Sequence, residues 1–262
     1  MTLSIKTRLF LILLLSGMVG VLSFLLVDLS ALISLMPVPA GTDVPTVTPV
    51  LKVLSLIQPS VLLALAVLIG VQLAPKVGLS APVAEAIAAR LPVASMLKPQ
   101  VLPGIIGGSL GAIFVVVCSA VIRPFLSPEI IELSRKFAEL LPMATRLLYG
   151  GITEELLLRW GFMTLLVWLG WRFLQKRQRP PTRTVVVGSI LLSALVFAIG
   201  HLPITFMLIP DAHAPIVAFV ITANSAFGLI CGYLYCKKGL EASIIAHMVG
   251  HLVMATASYL GL

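Results

Sequence analysis

"VLPGIIGGSLGAIFVVVCSAVI", residues 101–122, runs for 22 positions without a charged side chain. As an α-helix rising about 1.5 Å per residue, it reaches across the roughly 30 Å of hydrocarbon in a bilayer. The rest of the chain has the same character: 59% of its 262 residues are hydrophobic, 11% are charged, and the mean hydropathy is +1.11. A soluble domain is about half apolar and about one quarter charged. A closed β-barrel also satisfies its backbone in lipid, but it needs short alternating segments, which this sequence lacks. The expected fold class is therefore all-α, a polytopic transmembrane helix bundle.

Working outward from 101–122, apolar runs place further spans at 9–35, 53–73, 143–171, 185–208, 215–236 and 239–260, about seven in all. The first is about twice as long as a signal-peptide core, so it reads as a retained span even though "PVPAG" (37–41) follows it. Gly104/Gly108 and Gly107/Gly111, each pair four residues apart, bare strips of backbone for close helix packing. The segment 82–98 reads as a short interfacial helix, and 128–140 as an amphipathic one that lies on the surface or re-enters. The chain divides into residues 1–141, membrane helices with interfacial segments, and residues 142–262, a second helix bundle.

A net charge of +8 could suggest nucleic acid, but in a membrane protein basic residues mark the cytoplasmic loops. With the N-terminus cytoplasmic, twelve of the 18 Lys and Arg residues fall in cytoplasmic loops, five of them between Arg172 and Arg183. Four fall on the opposite side, and Arg146 and Arg159 lie within a helix. The partners implied are membrane lipids and no nucleic acid, and the place is a plasma or other internal membrane of a prokaryotic cell. Cys118, Cys231 and Cys236 have neither the number nor the setting of a disulfide framework and read as small packing residues.

Charge inside a bilayer costs at least about 2.5 kcal/mol per side chain, so it marks function by default. "GGITEELLLRWGF" (150–162) puts Glu154, Glu155 and Arg159 into the fourth span. "FAIGH" brings Phe197 and His201 into the fifth, and "HMVGH" brings His247 and His251, one turn apart, into the seventh. Three helices thus supply ionisable groups to one polar centre. Glu155 and Arg159 are an i, i+4 ion pair with the acid N-terminal, the better orientation. Glu154, turned about 100° away on an α-helix, cannot share that arginine. It faces Gly150 and Gly151, which leave room for water or an extended peptide, and it stays free to move protons.

Glu154-Glu155-x-x-x-Arg159, Phe197-x-x-x-His201 and the glycine-punctuated stretch ending at His247 resemble the CPBP family of intramembrane proteases. That family includes CAAX-processing endopeptidases and bacterial proteins linked to bacteriocin processing or immunity (Abi-type). The resemblance covers about residues 142–262 and makes that part the catalytic bundle. It implies hydrolysis of a peptide bond in a membrane-associated or lipidated peptide or protein. Glu154 would activate water with His201 as its partner. His247 would stabilise the oxyanion or bind a metal, with Glu155, Arg159 and Phe197 in support.

The family's last motif position is usually Asn or Asp, and here it is His251. Two readings follow. Either His251 donates to the oxyanion and no cofactor is present, or His201, His247 and His251 form a zinc set with an open position for water. A transporter or proton or metal channel would also use Glu and His in mid-membrane, and a catalytically silent scaffold or immunity protein is a third reading. A transporter predicts repeats and broken helices in both halves, whereas the polar centres here lie only in the C-terminal half.

Overall fold

The computed structural model describes residues 3–37, 46–177 and 180–261, and all regular structure among them is helical. The helices are α1 (Ile5–Ser23), α2 (Leu29–Ser34), α3 (Pro49–Leu54), α4 (Ile57–Val77), α5 (Pro82–Ala89), α6 (Ala94–Ile122) and α7 (Pro128–Leu140). A continuous helical run over 143–174, here α8, is followed by α9 (Arg183–Ile199), α10 (Leu202–Leu208), α11 (Ala214–Lys238) and α12 (Leu240–Tyr259).

Among the described residues, six stretches are long and apolar enough to cross a membrane: Ile5–Leu26, Pro49–Val77, Ala94–Phe125, Arg183–Leu208, Ala214–Lys238 and Leu240–Tyr259. The expected seventh, 143–171, is α8. It carries Arg146, Glu154, Glu155 and Arg159, too much charge to face lipid. Instead it packs against α1, α4, α9 and α12, which shield it. Over Arg146–Glu154, Leu156–Met163 and Gly170–Leu174 its hydrogen bonding is π-helical, so successive side chains turn less about the axis than on an α-helix. Such π segments are rare and gather at functional sites.

Several expected boundaries shift. The first span ends at Leu26 rather than Leu35, because the Asp28 carboxylate accepts from the backbone N–H groups of Ser30 and Ala31 and starts α2 afresh. The second begins at Pro49, with α3 leading into α4. The third starts at Ala94 instead of 101 and passes through Pro99 and Pro103, so the interfacial helix expected over 82–98 shrinks to α5. The fifth breaks at Gly200 and His201, between α9 and α10. Most of "PVPAG" (37–41) lies outside the described residues.

The helices before residue 141 form a wall against α8. Thr145 Oγ1 donates to Ser23 O (3.0 Å), Thr153 Oγ1 to Gly17 O (2.7 Å) and Trp160 Nε1 to Val67 O (3.3 Å). The paired glycines of α6 serve as expected: a β-carbon on Gly104 or Gly108 would collide with α12, and one on Gly107 or Gly111 with α11. At the basic end, the Glu241 carboxylate accepts from Val83 N (3.0 Å) and Ala84 N (2.9 Å), and Gln100 Oε1 accepts from Ala242 N (3.0 Å). These bonds satisfy the open N-termini of α5 and α12 and tie the two helices together.

Candidate active site

The polar centre lies where α8, α9, α11 and α12 meet. On α8, the two adjacent glutamates have opposite surroundings. The Glu155 and Arg159 side chains are wholly buried, whereas the Glu154 side chain is 22% exposed. Arg159 Nη1 lies 3.1 Å from Glu155 Oε1, out of line for a hydrogen bond, so charge holds that contact. Nη2 donates to Gly228 O (3.1 Å) on α11, and the guanidinium sits 4.9 Å from the centre of the Phe197 ring, a cation–π contact. Gly228 has no side chain to hold the guanidinium away, since a β-carbon there would lie 3.3 Å from Nη2.

Glu155 does more than neutralise Arg159. Its Oε1 accepts from His247 Nδ1 (2.7 Å) and its Oε2 from the Ser243 hydroxyl, which also lies 3.0 Å from Cys231 O. Ser243 and His247 are one turn apart on α12, so a single carboxylate fixes that face of the helix. A carboxylate paired with arginine accepts only, so the proton of this contact is on His247 Nδ1, and Nε2 is the ring's free nitrogen. Nε2 points toward Glu154, 3.8 Å from its Oε2.

His201 follows the same logic. Its Nδ1 lies 2.8 Å from Phe197 O, and a carbonyl can only accept, so Nδ1 carries the proton and Nε2 a lone pair. Phe197 stands edge-on to both imidazoles, with centroids 4.7 Å from His201 and 5.8 Å from His247. Its ring contacts both histidines. His251 stacks on His247, with centroids 5.0 Å apart and 18° between planes, and its buried Nε2 has no hydrogen-bond partner.

The space beside Gly150 and Gly151, expected to admit water or peptide, is filled. A β-carbon on Gly150 would strike His251 Nε2, and one on Gly151 would strike the Met248 side chain. The glycines instead let α12 come close enough to place His251 beside α8.

His201, His247 and His251 do not come together as a ligand set. Among the described residues, one group of three has its ligand atoms within 4.8 Å of one another: Glu155, Cys231 and His247. There the Arg159 guanidinium already supplies the positive charge. His201, meanwhile, forms part of the wall of an apolar cavity of about 310 Å³ between α7, α10 and α11.

Residues 136–253 match the family model described as Type II CAAX prenyl endopeptidase Rce1-like. That segment is similar to the Rce1-like type II CAAX prenyl endopeptidases. It contains every residue of the centre, from Glu154 to His251. No curated protein and no solved structure matches the chain. Within the matched segment, sequence reasoning missed Ser243, Cys231 and the α11 carbonyls. Ser243 had a readable signal, its place four residues before His247 on one face; Cys231 and Gly228 looked like ordinary small residues of an apolar helix.

Proposed function

We propose that the protein cleaves peptide bonds of a membrane-associated peptide or protein, with Glu154 as the base that activates water. One observation carries this reading: of two adjacent carboxylates, Glu155 is consumed by Arg159, His247 and Ser243, while Glu154 keeps exposed surface and faces a free imidazole nitrogen. Water bound between Glu154 and His201 gives up its proton as its oxygen attacks the scissile carbonyl. His201 Nε2, left with its lone pair by the Phe197 carbonyl, orients that water. The developing oxyanion needs fixed donors. Nε2 of His251, buried without a partner, is one; Nε2 of His247, once protonated, is another, with the Glu155 carboxylate behind the ring supporting the charge. The proton held at Glu154 then passes to the departing amine.

Metal-free chemistry is the reading favoured here. Its support is that the His247 and His251 rings lie nearly parallel so their nitrogens do not converge, and that a guanidinium occupies the one compact donor group among the described residues. Glu154→Gln tests the core of the proposal, because it removes the base and keeps shape and hydrogen bonding. The variant should purify folded and cleave no peptide in a detergent-solubilised library assay. Undiminished cleavage by it would refute the role of Glu154.

A further inference from the structure

Gly107 of α6 meets Leu234 and Ile230 of α11, and Gly111, one turn on, meets Ile230 and Phe227, so the two helices run antiparallel in close contact. On the outer side of this contact the larger side chains stand apart. Leu102, Ile106 and Leu110 of α6 form one wall of an apolar groove, and Leu229, Tyr233 and Leu234 of α11 form the other. The groove has a volume of about 550 Å³. Its walls face lipid rather than protein, with Leu102 63% exposed, Leu110 60% and Tyr233 58%. None of its lining residues belongs to the polar centre.

One end of the groove is charged. Lys98 stands one turn before Leu102 on α6. Because the helices are antiparallel, Lys237 and Lys238, one turn beyond Tyr233 and Leu234 on α11, stand at the same end. All three lysines are exposed, and among the described residues none of them forms an ion pair. The acids of the neighbouring α5 and α12 are committed elsewhere: Glu241 accepts from the backbone N–H groups of Val83 and Ala84, and Glu85 from that of Ala81.

From Leu102 to Leu110 the groove follows α6 for about 12 Å, close to the roughly 15 Å depth of one leaflet's hydrocarbon. We propose that this groove binds one anionic phospholipid, whose acyl chain lies between α6 and α11 and whose phosphate is held by Lys98, Lys237 and Lys238. Tyr233 stands next to the charged end, where a tyrosine ring can lie along the chain and its hydroxyl reach the headgroup. Lysines with no acid among them repel the ammonium group of a zwitterionic headgroup and favour one of net negative charge. The large side chains of the walls keep a partner helix from the close approach by which helices associate in a membrane, whereas a single acyl chain fits between them.

The test uses purified full-length protein in mild detergent, with phosphatidylglycerol and phosphatidylcholine of identical acyl chains, and native mass spectrometry to count the lipid retained. A lysine near an anionic headgroup contributes about fivefold in affinity, so wild type should retain one phosphatidylglycerol at least about fivefold over phosphatidylcholine. Lys98→Gln, Lys237→Gln and Lys238→Gln together should abolish that preference. Lys76→Gln, Arg172→Gln and Lys176→Gln together remove the same charge from the ends of α4 and α8, which do not line the groove, and should leave the preference intact. Ile106→Trp fills the groove and keeps every lysine, and it should lose the lipid while its circular dichroism stays that of wild type. Soluble glycerol phosphate, a headgroup without a chain, should not compete. Four results would each overturn the site: no preference in wild type, a preference that survives the first triple variant, one lost equally in the second, or undiminished binding by Ile106→Trp. Competition by glycerol phosphate would assign the lysines to a free phosphate instead. A dimer that retains no lipid and that Ile106→Trp dissociates would seat a second copy in the groove, and it too would overturn the proposal.

Discussion

Replacing Gly150 by Ala adds one methyl group, and the structure says where it goes. An ideal β-carbon there falls under 3.0 Å from His251 Nε2, with Cδ2 at 3.2 Å and Cε1 at 3.4 Å, so the whole outer edge of the imidazole is in the way. Ordinary contact begins near 3.4 Å. Either the imidazole withdraws by about 1 Å or α8 and α12 separate, and a misplacement of about 1 Å at a reacting centre costs on the order of 10²-fold in rate. Stability should fall by less than the rate implies, because the preference for Ala over Gly in a helix interior, about 1 kcal/mol, offsets part of the roughly 1–3 kcal/mol cost of overpacking. The expected result is a folded protein with detergent-phase kcat/KM reduced about 10²-fold. Gly151→Ala is the matched control: its methyl meets Met248 Cγ, the middle of a flexible side chain that can turn aside, so its rate should fall less than tenfold. Combining Gly150→Ala with His251→Asn replaces the obstructing ring with a shorter donor and should recover most of the lost rate. Full activity in Gly150→Ala, or equal losses in both glycine variants, would show that the placement of His251 beside Gly150 is not what the reaction needs.

Glu155→Gln and Arg159→Met each leave a buried charge without its partner and should destabilise the protein by about 3–5 kcal/mol, read as a lower melting temperature and lower yield. A Glu155→Gln protein as stable as wild type but inactive, paired with an active Glu154→Gln, would reverse the roles given to the two glutamates. His251→Asn alone should keep cleavage within about tenfold of wild type, with zinc content by elemental analysis unchanged; joint loss of bound zinc and at least about 10²-fold in rate would install the histidine–zinc mechanism instead. Gly228→Ala should lower both stability and rate, since its methyl presses on Ala194 and on the guanidinium that anchors Glu155.

The membrane fold was legible because hydrocarbon is a demanding solvent. A helix facing lipid must be apolar along about 20 residues, and that constraint is written into composition alone. The helix carrying the motif, expected over 143–171, is present over 143–174, but it is not among the apolar spans for the same reason. Shielded by α1, α4, α9 and α12, α8 is excused from the lipid rule, so its charges neither forbid it from the membrane nor mark it as an apolar span. Its π-helical winding left no trace in the sequence, because i→i+5 bonding depends on how neighbours press on the helix rather than on any residue's preference. Asp28 was the opposite case: a side chain able to cap a new helix, overlooked inside a run whose hydropathy favoured one long span.

Helical spacing could pair Glu155 with Arg159, because both ends of that contact lie on one helix. It could not say which of two adjacent glutamates would be free, since that depends on what α11 and α12 bring opposite them. Gly228 offers a carbonyl to Arg159, and Ser243 and His247 both reach Glu155. Every one of those contacts consumes Glu155 and leaves Glu154 with exposed surface. The division of labour between neighbours 154 and 155 is therefore a property of the bundle, made by burying one carboxylate under three partners so completely that only the other keeps exposed surface.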